Sequence, residues 1–170
     1  ITAFFAQPVE KIDVSGRPFW GNPDAKIVIA EFSDFECPYC KVAAFNLKPM
    51  LADYRDQVKL VFMNYPLDKA CNASIKRDMH QQACNAAYAA HCADLQGKFW
   101  EYHDTAFDRQ PRYSAESLNN IAKKLKLDDA KFQACLKDEA TKKFVEEDVA
   151  RGEAVKVRGT PAVFINGRLL

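Results

Sequence analysis

The sequence has no apolar run near the roughly 20 residues that a membrane-spanning helix needs. The most apolar stretch of its central part is Lys26-Ile27-Val28-Ile29-Ala30 with its flanks. No charge sign dominates, because 24 Lys and Arg stand against 23 Asp and Glu, a formal +1. That balance gives nucleic-acid binding, or attachment to an anionic membrane surface, no electrostatic support. Gly (6) and Pro (8) are too few for a collagen-like or low-complexity chain. No internal repeat is visible. The expected class is therefore a soluble globular protein of one domain, or of one domain carrying a large insertion. A chain of 170 residues, 48% of them hydrophobic, buries about 70% of its unfolded surface and needs no disulfide merely to hold a core.

Cysteine is nevertheless plentiful, with six residues at 37, 40, 71, 84, 92 and 135. An even count suits full pairing, and the number is high for a cytosolic enzyme, where thiols stay reduced. The expectation is an exported protein in an oxidising compartment. The opening Ile1, without Met, fits a processed mature chain.

Residues 1–8 read as an arm, and Val9 to Ile12 as a short edge strand ended by Ser15-Gly16-Arg17-Pro18. Gly21-Asn22-Pro23-Asp24 is a turn cluster. Lys26 to Ser33 is apolar and β-branched at nearly every position, the pattern of a central parallel strand buried on both faces. A helix follows Cys37 to about Arg55, with Pro49 inside it as a kink. Val58 to Tyr65 is a second buried strand, so strand–helix–strand implies a right-handed crossover.

From about Lys76 the period becomes helical. Helices are expected over Arg77–Gln96, rich in Ala, and over Lys98–Arg109; another lies behind a Ser114 N-cap, with Leu118, Ile121, Ala122 and Leu125 on one face. Two more follow, one around Phe132, Cys135 and Leu136 and one over Ala140–Lys156. Ala162 to Ile165 is a strand, and Asn166-Gly167 is a type I′ hairpin signal leading to Leu169 and Leu170. The expected class is α/β, with 1–75 and 157–170 forming one discontinuous domain and 76–156 an all-helical insertion.

The chemistry centres on Cys37-Pro38-Tyr39-Cys40, which follows a buried strand and opens a helix. Pro38 suits the first helical position, where a missing N–H is no loss. Cys37 then sits at the helix N-terminus, where free N–H groups and the dipole favour an anion. A thiolate there has a depressed pKa and is the better leaving group. Cys40, one turn deeper, is the resolving thiol of an exchange that runs through a mixed disulfide at Cys37. The alternative is half of a zinc site, with His80, Cys84, His91 or Cys92 as partners, but no second C-x-x-C exists. A structural disulfide at 37–40 is the other plain alternative. His80, His91 and His103 read as structural, and the Phe99, Trp100 and Tyr102 cluster as core.

Glu31-Phe-Ser-Asp-Phe-Glu-Cys37-Pro-Tyr-Cys40, the helical block and Thr160-Pro161-Ala-Val-Phe-Ile165-Asn-Gly167 together resemble the DsbA-like branch of the thioredoxin superfamily, across most of residues 25–170. A glutaredoxin can carry Cys-Pro-Tyr-Cys but has no room for an insertion of about 80 residues. The resemblance implies a thioredoxin-like fold with a helical insertion and a protein thiol:disulfide oxidoreductase needing neither cofactor nor metal. It implies a cis Pro161 beside the active-site disulfide, with the Thr160 backbone presented to an extended substrate. Glu31 lies in the most buried-looking strand, on the face of Ile27 and Ile29, where ionising a carboxylate is costly. It stands six residues before Cys37, the place of a buried acid in this family, which implies proton transfer with Cys40. Strong oxidases of the family have His where this chain has Tyr39; Tyr39 and Thr160 look more like the isomerase and reductase relatives.

The implied partners are cysteine-containing protein substrates and a membrane redox partner, either a quinone-linked oxidase or a reductase. The implied location is the bacterial periplasm or another exported setting. The expected direction is disulfide donation, with reduction or isomerisation as the alternative within the fold. A non-catalytic peptide-binding module is the alternative outside it. Cys84 and Cys92 are about 12 Å apart along one helix, beyond the about 7 Å a disulfide allows. Two pairings survive: 71–84 with 92–135, or 71–92 with 84–135. The first is favoured, since it ties a loop to the Ala-rich helix and that helix to the one bearing Phe132. The family continues past the hairpin with a strand and a helix, so a further C-terminal segment, or a partner chain, is expected over the sheet.

Overall fold

The computed structural model describes residues 2–77, 79–111 and 113–170. Its elements run α1 (Thr2–Phe5), β1 (Phe19–Gly21), β2 (Ile27–Ser33), α2 (Pro38–Leu51), a 3-10 turn (Ala52–Tyr54) and β3 (Val58–Asn64). Helices α3 (Ala83–Asp94), α4 (Phe99–Arg109), α5 (Ala115–Lys124), α6 (Asp129–Lys137) and α7 (Glu139–Ala154) follow, then β4 (Ala162–Ile165) and β5 (Arg168–Leu169).

The strands form one sheet in the order β1-β3-β2-β4-β5. β2 and β3 are parallel, in register from Ile27 opposite Val58 to Ser33 opposite Asn64, and α2 makes the crossover. β2 is hydrogen-bonded on both sides, which accounts for its near-continuous apolar sequence. Its two faces divide the core. Ile29, Val58 and Leu60 pack against Leu47 and Leu51 of α2. Ala30, Phe32, Val61 and Met63 pack against Val149, Val155 and Val157, on and just after α7. Each large apolar side chain buried here contributes about 1.5–3 kcal/mol. Gly152 makes the second face possible, because a Cβ there would stand 2.6 Å from the Tyr65 ring.

Small residues organise the helical block. Ala83, Ala86, Ala87, Ala89, Ala90 and Ala93 are all buried on α3, so α3 approaches α4, α5, α6 and α7 alike. Tyr102, Phe107, Ile121 and Phe132 fill the space around it, and the same core runs on to Phe35, Cys37, Cys40 and Phe62. Ser114 caps α5 in a reciprocal capping box with Ser117. Cys71 is joined to Cys84 and Cys92 to Cys135, tying the β3–α3 loop to α3 and α3 to α6.

The structure departs from the sequence reading in several places. Val9 to Ile12 forms no strand: its backbone bonds once, from Glu10 N–H to the Gly167 carbonyl at 2.8 Å, while Ile12 and Val14 lie on the sheet face of Ala30. The edge strand is Phe19–Gly21 instead, antiparallel to β3. Part of the expected arm is the short helix α1; Ile1 lies outside the described residues. The helix expected from Arg77 begins at Ala83, and residue 78 lies outside the described residues. Leu67 and Glu36 take up the loop's backbone groups, His80 N–H bonding the Leu67 carbonyl and Gln82 N–H the Glu36 carboxylate. Helix α7, expected with the helical block, carries Val149 into the sheet core while Val145 packs towards α3. In the hairpin, Asn166 and Gly167 both have positive φ, 46° and 81°, as a type I′ turn requires.

Candidate active site

Strand β2 ends at Ser33, and Asp34-Phe35-Glu36 turns the chain into α2. Cys37 is the N-cap residue of α2, extended at φ −74°, and Pro38 occupies the first turn. Its thiol lies against the Thr160 carbonyl at 3.3 Å, and the Thr160–Pro161 peptide is cis. Cys37 is only 4% exposed. The nucleophilic sulfur is thus buried, with the Thr160 backbone against it. Cys40 is deeper still at 0%, while Tyr39 between them is 75% exposed. In this structure both cysteines are free thiols.

The two sulfurs are electrostatically unlike. The Cys40 thiol, by hydrogen bonding, holds Cys37 low; burial opposes this, while Thr160 and the N–H groups of Cys40 and Tyr39 add to it, bringing Cys37 to about 5. Burial first, then the same bond seen from the other side, pushes Cys40 far up. One proton shared between two thiols therefore rests on Cys40.

Glu31 and Ser33 project from β2 on the face that α2 covers, that of Ile29. Glu31 is 2% exposed, and its Oε1 has no hydrogen-bond partner. Burial pushes its carboxyl up to about 7, with the Ser33 hydroxyl opposing. The same hydroxyl favours the Cys40 thiolate, so Ser33 faces both groups.

Sequence reasoning passed over several residues that the fold gathers here. The Asp34 carboxylate accepts from Glu36 N–H at 2.7 Å and Leu67 N–H at 2.7 Å, and pairs with His80 Nδ1 at 2.8 Å. Asp34 N–H points to the Cys40 sulfur at 3.4 Å. From the helical block, Gln110 Nε2 donates to the Phe35 carbonyl at 2.6 Å and the Cys37 carbonyl at 3.0 Å, and the Tyr113 hydroxyl donates to the Phe35 carbonyl at 3.2 Å. The block thereby fixes the turn that presents Cys37. Asp34 was legible, since a carboxylate so near a reactive thiol asks for a partner; Gln110 was not. The ligands considered for a zinc site are dispersed, with Cys84 and Cys92 each in a disulfide.

A family model described as Thioredoxin (Thioredoxin_4) matches residues 13–170. The chain belongs to the thioredoxin family. The thiol-disulfide exchange protein alpha-DsbA2 of Wolbachia pipientis superposes with a TM-score of 0.77 at 21% identity, covering 92% of this chain and 80% of that one. Oxidised BdbD of Bacillus subtilis also reaches 0.77, at 24% identity, covering 96% and 89%. The fold is accordingly that of the DsbA-like members of the thioredoxin family. Among curated proteins, Na(+)/H(+) antiporter NhaA 3 of Salinispora tropica is 35% identical over 148 residues, 87% of this chain and 21% of that protein. NhaA 1 of Mycolicibacterium vanbaalenii is 32% identical over 149 residues, 86% of this chain and 23% of that protein. The chain spans about a fifth of the length of these curated relatives. Among its described residues no helix is long and apolar enough to cross a membrane.

Proposed function

We propose that this chain exchanges disulfides with cysteine-containing protein substrates, in the direction of disulfide donation. The observation that carries the reading is the asymmetry of the pair: Cys37 is held to about 5 at the start of α2, while Cys40 is driven up by burial one turn below. Starting from a Cys37–Cys40 disulfide, a substrate thiolate attacks the Cys37 sulfur, and a substrate–Cys37 bond forms as the Cys37–Cys40 bond breaks. Cys40 leaves as a thiolate in a site that disfavours it and takes a proton from Glu31, whose pKa near 7 lets it serve as acid and then as base. A second substrate thiolate attacks the substrate sulfur of the mixed disulfide and releases Cys37 as the stable thiolate. Two electrons pass from substrate to protein. Of the two protons the substrate thiols lose, one ends on Cys40 and the other in solvent.

Thr160, with its carbonyl 3.3 Å from the Cys37 sulfur, would hold the extended substrate by backbone pairing. Two disulfides in addition to the reactive pair favour an exported, periplasmic setting in a bacterium. Regeneration by a membrane redox partner belongs to the same proposal, as does division into a discontinuous thioredoxin-like part (1–75, 157–170) and a helical part (76–156). Reduction or isomerisation is the second reading; neutral Tyr39, which adds no charge beside Cys37, favours it.

The test uses two variants and a cysteine-containing peptide. Cys37→Ser should exchange with nothing, and Cys40→Ser should accumulate a peptide mixed disulfide at Cys37 because no thiol remains to resolve it. A mixed disulfide forming at Cys40 in the Cys37→Ser protein would reverse the assigned roles.

A further inference from the structure

The β3–α3 loop, described over residues 65–77 and 79–82, is pinned to the link between β2 and α2 through two carboxylates. The Asp34 carboxylate, in a residue 1% exposed, receives Leu67 N–H at 2.7 Å and His80 Nδ1 at 2.8 Å. Glu36 receives Gln82 N–H at 2.7 Å. The Cys71–Cys84 disulfide closes the loop around these contacts. Asp34 and Glu36 are three and one residues before Cys37, so two negative charges stand beside a thiol that must itself become negative. Like charges so placed oppose the thiolate. Tyr39, neutral and pointing to solvent, does not offset them.

We propose that His80 is a positioning residue for the exchange reaction: as an imidazolium it balances Asp34 and Glu36 and supplies, from the β3–α3 loop, the positive charge that position 39 lacks. The inference rests on the exchange reading above and assigns to His80 a role in that same site. Asp34 accepts a backbone N–H on each of its oxygens, Glu36 on Oδ1 and Leu67 on Oδ2, as an ionised carboxylate does, and such an acceptor calls for a proton on the Nδ1 that lies 2.8 Å from it. Among the described residues, the charged groups that act on His80 are Asp34 and Glu36, from the link between β2 and α2, and the Cys37 thiol at the start of α2. Asp68, from the same loop as His80, adds its charge to those that act on Glu36. Asp34, Glu36 and the Cys37 thiolate each favour the imidazolium. The hydrogen bond to Asp34 raises His80 most, burial opposes it, and the charges of Asp34, Glu36 and Cys37 add to the rise. By reciprocity, whatever the Cys37 thiolate does for the imidazolium, the imidazolium does for the thiolate.

Alkylation of the reduced protein by iodoacetamide, followed against pH, tests the proposal. His80→Gln should move the Cys37 midpoint up by about 0.7 unit, a roughly fivefold slower reaction at pH 4 that closes by about pH 7. Adding Asp34→Asn to that variant should bring the midpoint back towards wild type, since it removes the charge that His80 no longer balances. A His80→Gln profile identical to wild type, or one slowed equally at every pH, would overturn the proposal. A second measurement needs no variant: the NMR titration of His80 in wild-type protein should have a higher midpoint in the dithiol form than in the disulfide form, by the same amount. Equal midpoints would overturn it too. A wild-type protein with no acid-reactive thiol at all would instead remove the exchange reading beneath it, and the two failures are thereby distinguished.

Discussion

Glu31→Gln removes a carboxylate that the fold holds in a dry place. The side chain lies under α2 with one oxygen unpartnered, and burial carries its pKa from 4.5 to about 7. A raised carboxyl pKa means that the folded state holds its proton where the unfolded chain has lost it. Below pH 4.5 both states are protonated and Glu31 costs nothing. Between pH 4.5 and 7 stability falls as pH rises, and above pH 7 the full cost is present. A rise from 4.5 to about 7 converts to about 3 kcal/mol. Glu31→Gln should therefore be near-neutral at pH 4.5 and stabilising by up to about 3 kcal/mol at pH 8. The measurement is guanidinium unfolding of both proteins across that range in the disulfide form. In the dithiol form the low pKa of Cys37 adds a slope of opposite sign, with stability gained as pH rises from about 5 towards 9. The wild-type-minus-variant difference cancels the other titrating groups. A difference that stays flat from pH 4.5 to 8 would refute the buried, proton-holding Glu31 and with it the proton source for Cys40.

Other parts of the fold can be probed in the same way. Gly152→Ala should lose about 1–3 kcal/mol by thermal or denaturant unfolding, because the new methyl meets the buried Tyr65 ring at 2.6 Å and this outweighs the better helix propensity of Ala. Ser114→Ala should cost about 1 kcal/mol by breaking the α5 capping box, with no change in thiol reactivity. Opening Cys92–Cys135, whose sequence separation is 43 residues, should cost up to about 4 kcal/mol. Opening Cys71–Cys84, with a separation of 13, should cost about 3.

What was legible in the sequence depended on the distance over which each feature is determined. β2 and β3 were plain because burial on both faces leaves a run of β-branched and aromatic residues. α5 was plain because Ser114 and its heptad-like apolar face are local signals. The hairpin at Asn166-Gly167 was plain for the same reason. Cys37 and Cys40 were legible as a unit, since strand, C-x-x-C and helix are contiguous. β1 was missed because three residues, Phe19 to Gly21, are too few to show an alternation. The start of α3 was misplaced because Ala83 is where the loop's side-chain contacts to Asp34 and Glu36 end, a tertiary matter. The covering of Cys37 by Thr160 joins residues 123 apart, and His80 meets Asp34 across 46. Neither contact leaves a mark in local sequence, and His80 accordingly read as a structural residue.

The account stands most directly on whether Cys37 and Cys40 form a reversible redox couple. Anaerobic equilibration with glutathione buffers, acid quenching and mass analysis of alkylated Cys37 would show it. The predicted result is one two-electron transition between about −270 and −120 mV, the range from thioredoxin to the strongest oxidants of this fold, with Cys71–Cys84 and Cys92–Cys135 unchanged throughout. A midpoint at or below that of thioredoxin would contradict disulfide donation, and no transition at all would contradict the exchange reaction itself.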